Sequence, residues 1–248
     1  MKTQPPPGEA PGKKDAVAAM FDDIAPRYDL LNRMLSFGID QHWRDRAIAL
    51  LGEDKPRRIL DVATGTADIA IKALTVGPDK IVGVDISDQM LERGREKVRD
   101  RGLSDQIVLQ KGDAEKLPFS DSQFDAVVVA FGVRNFESLE QGLSEILRVL
   151  SPGGRLVVLE FSHPRSFPIK PLYKFYSHVV LPAVGRAVSK NDAAYRYLPA
   201  SVDAFPSGED FLRRLRDVGF VNAVFQPLTF GIAALYSAYK AEKRRMTT

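Results

Sequence analysis

The chain of 248 residues contains no cysteine. Disulfides, cysteine-ligated zinc or iron–sulfur centres and thiol nucleophiles are thereby excluded, and the composition suits a reducing, cytoplasmic setting. Histidine is nearly as scarce. His42, His163 and His178 fall at no metal-ligand spacing, so no metal is expected. Charge of one sign is lacking too: 35 Lys and Arg face 32 Asp and Glu, and a net +3 makes no basic stripe for nucleic acid. Residues 1–14, MKTQPPPGEAPGKK, hold no apolar core segment, which argues against a signal peptide and for a disordered tail. The longest uncharged run, 218–239, is interrupted by Asn222, Gln226, Pro227, Thr229 and Gly231; it reads as two strands around a turn, not a transmembrane helix.

Apolar residues recur at helical spacing over 15–24 and 30–37, with Pro26 as a breaker between them, and Asp40 is placed to cap a third helix over 43–51 that ends at Gly52. Beyond this helical preface (15–52) the pattern changes. Short β-rich runs, ILDVA, KIVGVDI, QIVLQ, FDAVVVAFG and GRLVVLEFS, alternate with helices reaching about 74 and covering 88–101 and 138–150. Strands that recur after helical crossovers predict an α/β, doubly wound, mostly parallel sheet, with ligands outside the carboxyl ends of the strands where their order reverses. The alternation stops over 164–205, an insertion long enough to be a lid or binding element. Ser207 is placed to cap a helix ending at Gly219, and strands over 222–229 and 232–240 close a single domain of residues 15–248.

Three strand ends carry chemistry. The first is followed by Asp61-Val62-Ala63-Thr64-Gly65-Thr66-Ala67-Asp68, where Gly65 allows close backbone approach. The second ends in Asp85, suited to accept from both hydroxyls of a ribose, and the third leads into Gly112-Asp113-Ala114-Glu115-Lys116-Leu117-Pro118-Phe119, suited to read adenine. The single glycine falls short of the G-x-G-x-x-G of a pyrophosphate site, which favours a nucleoside without phosphates. Each motif alone has a plainer role in a cap or turn; their order and spacing point together to adenosine binding.

DVATGTAD, VGVDIS, GDAEKLPF and the LSPGG turn resemble the motifs of class I S-adenosylmethionine-dependent methyltransferases. The resemblance implies strand order 3-2-1-4-5-7-6 with the seventh strand antiparallel, Asp61, Gly65 and Thr66 at the methionine end of the cofactor, Asp85 on its ribose, and Asp113 with Ala114 on its adenine. Thr64 and Ala67 stand where the family pattern has glycines. MFDDIAPRYDLLNRMLSFGIDQHWR, FGVRNF, LEFSHP and YRYLPASVDAFPSGEDF are similar, in addition, to the menaquinone/ubiquinone biosynthesis C-methyltransferases. Ala130 stands where some relatives carry a cofactor-contacting Ser.

That second likeness implies C-methylation of a polyprenyl hydroquinone ring. The expected acceptor is demethylmenaquinol, a naphthoquinol; the alternatives are the 2-polyprenyl-6-methoxy-1,4-benzoquinol of ubiquinone biosynthesis or another small acceptor. Arg134 and Asn135 lie just past the fourth strand, and Arg134 suits stabilisation of a phenolate or of a water that carries its proton. His163 is a candidate base, and Tyr195, Arg196 and Tyr197 with Asp22 and Tyr28 are candidates for closing over the ring; packing or capping is the alternative for each. Residues 167–190 interleave aromatics with Lys170, Lys174, Arg186 and Lys190, a pattern for peripheral contact with a membrane surface. The quinol is the expected partner, without nucleic acid, and homo-oligomerisation is left open.

Overall fold

The computed structural model describes residues 12–36, 38–164, 167–176 and 192–242. Seven strands form one sheet: β1 (Arg58–Val62), β2 (Lys80–Asp85), β3 (Ile107–Lys111), β4 (Phe124–Ala130), β5 (Leu150–Phe161), β6 (Phe220–Leu228) and β7 (Ala233–Lys240). Their order is β3-β2-β1-β4-β5-β7-β6, and β7 runs antiparallel to both of its neighbours, as the sequence motifs imply. The helices are α1 (Lys13–Ile24), α2 (Tyr28–Leu35), α3 (Ile39–Gly52), α4 (Asp68–Ala73), α5 (Asp88–Asp100), α6 (Leu139–Val149), α7 (Ile169–Phe175), α8 (Asp192–Ala204) and α9 (Glu209–Val218).

The unbroken apolar strands follow from burial on both faces. Alternate residues point to opposite sides, so Leu60, Val127, Val129, Leu156 and Val158 pack with Leu143 and Ile146 of α6 and Phe211 and Leu215 of α9. Their neighbours Ile59, Val128, Val157 and Leu159 pack instead with Trp43, Ala47 and Leu51 of α3, Ile69 of α4 and Leu91 of α5. Strand order reverses between β1 and β4, so the segments after these two strands diverge and open a crevice at their carboxyl ends.

Several local expectations are corrected. Lys13 and Lys14 belong to α1 rather than to a tail, because Lys14 reaches Asp113 at 2.8 Å and Glu115 at 3.0 Å; residues 1–11 of that tail lie outside the described residues. Asp40 does not cap α3. It sits buried in the helix's first turn, accepts from Ser36 Oγ at 2.6 Å and pairs with Arg44 at 3.3 Å, while Gly38 takes the cap position in a left-handed conformation. Ser207 likewise yields the α9 cap to Gly208, whose N–H donates to the Tyr236 hydroxyl at 2.7 Å. β6 begins at Phe220, earlier than expected, since that side chain fills the core below α9. Two serine caps not assigned from the sequence are present: Ser87 accepts from Met90 N, and Ser138 from Gln141 N.

Candidate active site

The crevice is walled by Gly65 after β1, Asp85 at the end of β2, Asp113 and Ala114 after β3, and Phe131 and Asn135 after β4, with Tyr28 of the preface across from them. Asp85 organises its centre. One carboxylate oxygen accepts from Gly65 N at 2.8 Å and the other from Ser87 N at 2.9 Å, which ties two strand-end loops to one side chain. Burial raises its pKa above the usual carboxylate range, against the backbone hydrogen bonds that favour the charged form. Each oxygen keeps a lone pair for a hydroxyl donor.

Gly65 is at φ +55°, and a Cβ built on it would meet nothing within 4 Å. The position therefore combines a backbone conformation that suits glycine with open space facing the crevice, which is what a closely approaching ligand needs. Thr64 and Ala67, the two departures from the family's glycines, are accommodated from the opposite side. A Cβ on Gly83 of β2 would lie 2.8 Å from Thr64 Oγ1, and one on Gly94 of α5 would lie 3.3 Å from Ala67 Cβ. Glycines facing the loop make room for the side chains within it, and the cradle fits an adenosyl group.

Asp61 and Thr66, like Arg134 and His163, are not among the residues walling the crevice. Asp61, 1% exposed, accepts from Thr64 Oγ1 at 2.6 Å and so shapes the loop from beneath. Thr66 Oγ1 donates to Asp29 at 2.7 Å and accepts from Lys97 at 2.8 Å, fastening α2 to the loop. Burial pushes the Asp61 carboxyl up to about 7, against the Thr64 hydrogen bond and the Arg44 charge. A carboxyl raised in the folded state stabilises fully only below its unfolded pKa of about 4, and that contribution is lost as pH climbs through about 7. Asp61→Asn, neutral throughout and still able to accept from Thr64, is expected to raise the melting temperature more above neutrality than at about pH 5. A gain that does not vary with pH in thermal unfolding would refute this.

The preface closes over the crevice through polar contacts. Lys14 holds Asp113 and Glu115, Asp29 pairs with Lys97 at 2.5 Å, and Asp22 accepts from Ser87 Oγ at 2.6 Å and Gln89 N at 3.1 Å at the start of α5. Asp22 thus serves a helix terminus, while Tyr28 walls the crevice and meets Phe21 edge-on at 6.0 Å.

Beside the crevice, Asn135 Oδ1 accepts from the Tyr197 hydroxyl at 3.1 Å, joining the segment after β4 to α8. Arg134 is turned inward, with its side chain 7% exposed. Its Nη1 donates to Glu160 at 2.7 Å and also to the Phe131 carbonyl, and its guanidinium carbon lies 5.4 Å from the centre of the Phe161 ring. His163 Nε2 lies 3.2 Å from the Val202 carbonyl and its Nδ1 3.9 Å from Asp203, so the ring pins α8 to the end of β5. Tyr195 and Arg196 are in α8, but their side chains lie outside the described residues, as do His178, the side chain of Lys174, Arg186 and Lys190. Sequence reasoning missed Glu160 and Tyr173. Glu160 follows a β-rich run in LEFSHP, and a lone acidic residue at a strand's carboxyl end was the available signal.

A family model described as the ubiE/COQ5 methyltransferase family matches residues 10–240. A demethylmenaquinone methyltransferase of Bacteroides fragilis is 49% identical over 229 residues, covering 92% of this chain and 94% of the relative. The ubiquinone/menaquinone biosynthesis C-methyltransferase UbiE of Geobacter sulfurreducens is 47% identical, covering 93% and 91%. Among solved structures, the [4+2]-cyclase SpnF aligns with TM-score 0.68 at 20% identity, covering 94% of this chain and 98% of its own. A SAM-dependent methyltransferase of Thermotoga maritima, described as a possible histamine N-methyltransferase, aligns at 0.64 and 21%, covering 90% and 99%. A cyclase and a methyltransferase on one framework show that these two likenesses speak for the fold alone. The match to the family model, running from the preface through β7, carries the assignment: this chain belongs to the ubiE/COQ5 methyltransferase family.

Proposed function

We propose that the protein is an S-adenosylmethionine-dependent C-methyltransferase that converts demethylmenaquinol to menaquinol. The observation that carries this reading is the 49% identity to the Bacteroides enzyme across nearly both full chains, which takes in the segments on the acceptor side of the crevice as well as the adenosyl cradle. S-adenosylmethionine supplies an electrophilic methyl group on a sulfonium. Asp85 would hold its ribose, Asp113 and Ala114 its adenine, and the Gly65 loop its amino-acid end.

An aromatic carbon becomes nucleophilic when the neighbouring hydroxyl gives up its proton, because the phenolate charge spreads onto that carbon; loss of the ring hydrogen as a second proton later restores aromaticity. Arg134 acts on the first of these steps as a fixed cation that stabilises the phenolate oxygen. Asn135 and Tyr197 position the ring's polar edge. Burial raises the pKa of Tyr197 and pushes that of Tyr173 up to about 12, so both phenols stay protonated and serve as donors rather than bases. The closed preface excludes water, which keeps an anion and a cation strongly coupled at short range.

Reduced demethylmenaquinone and methyl-labelled S-adenosylmethionine, given to the purified protein, should yield label on a ring carbon. Turnover of the methoxybenzoquinol in its place would favour ubiquinone biosynthesis, and labelling of neither would overturn the proposal.

Peripheral contact with a membrane surface belongs to the same reading, because the acceptor carries a prenyl tail. No helix among the described residues is long and apolar enough to cross a membrane. Phe167, Leu172 and Phe175 at and within α7 are 88%, 64% and 58% exposed, with Lys170 exposed among them. Phe230 is 75% exposed in a turn whose Gly231 abuts Pro164, and so adds to the same end of the sheet. Changing Phe167, Phe175 and Phe230 together to Ser should lower recovery with anionic liposomes on flotation. Recovery equal to that of the parent protein would discard the membrane role.

A further inference from the structure

The Arg134–Glu160 pair has an unusual balance of partners. Glu160 is fully buried at the end of β5: Oε1 takes Arg134 Nη1 at 2.7 Å and Phe161 N at 2.8 Å, and Oε2 takes Arg134 N at a longer 3.4 Å. Arg134 is not so satisfied. Its Nε–H is buried and has no hydrogen-bond partner among the described residues. A buried donor of this kind carries the full cost of its lost hydration until an acceptor arrives. The surrounding ionisable groups are Tyr173 and Tyr176 at α7 and Tyr197 and Asp203 on α8, with His163 two residues past Phe161. The first three are phenols held protonated by burial, which leaves Glu160 as the carboxylate in direct contact with the guanidinium.

We propose that Glu160 is a positioning residue for methyl transfer: its carboxylate clamps Nη1 of Arg134 so that the unpartnered Nε–H meets the acceptor oxygen whose charge develops as the ring is activated. This inference rests on the function proposed above. Glu160 is assigned to positioning and not to proton transfer, because it is fully buried and its Oε1 is taken by Arg134 Nη1 and Phe161 N. Its charge has a second consequence. By partly neutralising Arg134, it limits how far the guanidinium lowers the pKa of the acceptor hydroxyl, and so sets the pH at which the ring becomes nucleophilic.

Two variants of the full-length protein separate these roles. In Glu160→Gln the amide oxygen can still accept from Nη1 and from Phe161 N, while its NH2 faces only the weakly bound Arg134 N–H, 3.4 Å from Oε2 in the parent, so the clamp on Nη1 persists while its negative charge is lost. The acid limb of kcat at saturating reduced demethylmenaquinone should then move to lower pH by about one unit, with binding of S-adenosylhomocysteine unchanged. In Glu160→Ala the clamp is gone, and kcat should fall by roughly 10²-fold with that binding again unchanged. An inactive Glu160→Gln with intact S-adenosylhomocysteine binding would make Glu160 a base and overturn the proposal. So would an unshifted pH limb, or a loss of S-adenosylhomocysteine binding that tracks the loss of turnover, which would mark a purely structural residue. If the parent protein itself fails to turn over the quinol, the function proposed above falls and takes this inference with it; if the parent is active and both variants match it, only the role of Glu160 falls.

Discussion

Asp85→Ala is expected to weaken uptake of S-adenosylmethionine and S-adenosylhomocysteine by roughly 10²- to 10⁴-fold. Hydrogen bonds to a charged group contribute about 1.5–3 kcal/mol each, and about 1.4 kcal/mol is a factor of ten, so two ribose hydroxyls account for a loss of this size. The same change frees Gly65 N and Ser87 N, which Asp85 holds at 2.8 and 2.9 Å, so the first loop and the start of α5 lose their common anchor. Asp85→Asn should behave nearly as badly, because its NH2 would face one of two backbone donors. Asp88→Ala, which removes an exposed partner of Lys111, is the control and should leave affinity intact. Isothermal titration with S-adenosylhomocysteine reads all three variants. Tight binding by Asp85→Ala would show that the ribose is held elsewhere.

The pH dependence of donor binding follows from the same carboxylate. Burial raises the pKa of Asp85, so it protonates at a higher pH than an ordinary aspartate. Binding that relies on its charged form should therefore weaken from a correspondingly higher pH as the solution is acidified.

The second large effect concerns turnover. Arg134→Ala should lower kcat by roughly 10²- to 10³-fold, the usual cost of removing one donor aimed at a developing oxyanion, while donor affinity stays as in the parent. It also leaves Glu160 buried without its cation, which breaks a buried ion pair and is expected to cost about 3–5 kcal/mol of stability. Joint replacement by Arg134→Met and Glu160→Gln removes both charges. It should recover much of the melting temperature without recovering activity. Steady-state kinetics beside thermal unfolding distinguishes the two losses. A double variant as active as the parent would refute the role of Arg134, and Arg134→Lys should not substitute, since an ammonium lacks the fork that reaches Glu160 and offers Nε at once.

Much of this protein was legible along the chain because its causes are local. The β-rich runs and the helical spacing between them depend on residues a few positions apart. The residues proposed to hold the adenosyl group were brought together for a related reason: in a parallel sheet the segments after the strands gather at one edge, so Gly65, Asp85, Asp113 and Ala114 line one crevice. Asp40 and Ser207 misled because a capping residue type says nothing about tertiary contacts: Asp40 pairs with Arg44, and Gly208, whose N–H is held by the Tyr236 hydroxyl, takes the cap position next to Ser207.

Tertiary structure alone decided what lies across the sheet. Arg134 and Glu160 are 26 positions apart, and they meet because β4 and β5 are parallel neighbours, with Ala130 beside Leu159 at their ends. Gly83 and Gly94 make room for Thr64 and Ala67 from other elements, and Lys14, Asp22 and Asp29 find their partners only once the preface has folded back over the crevice. Periodicity and strand-end motifs are written residue by residue, whereas the pairing of a buried charge depends on which strands become neighbours, and that is settled by the burial of both faces of the sheet at once.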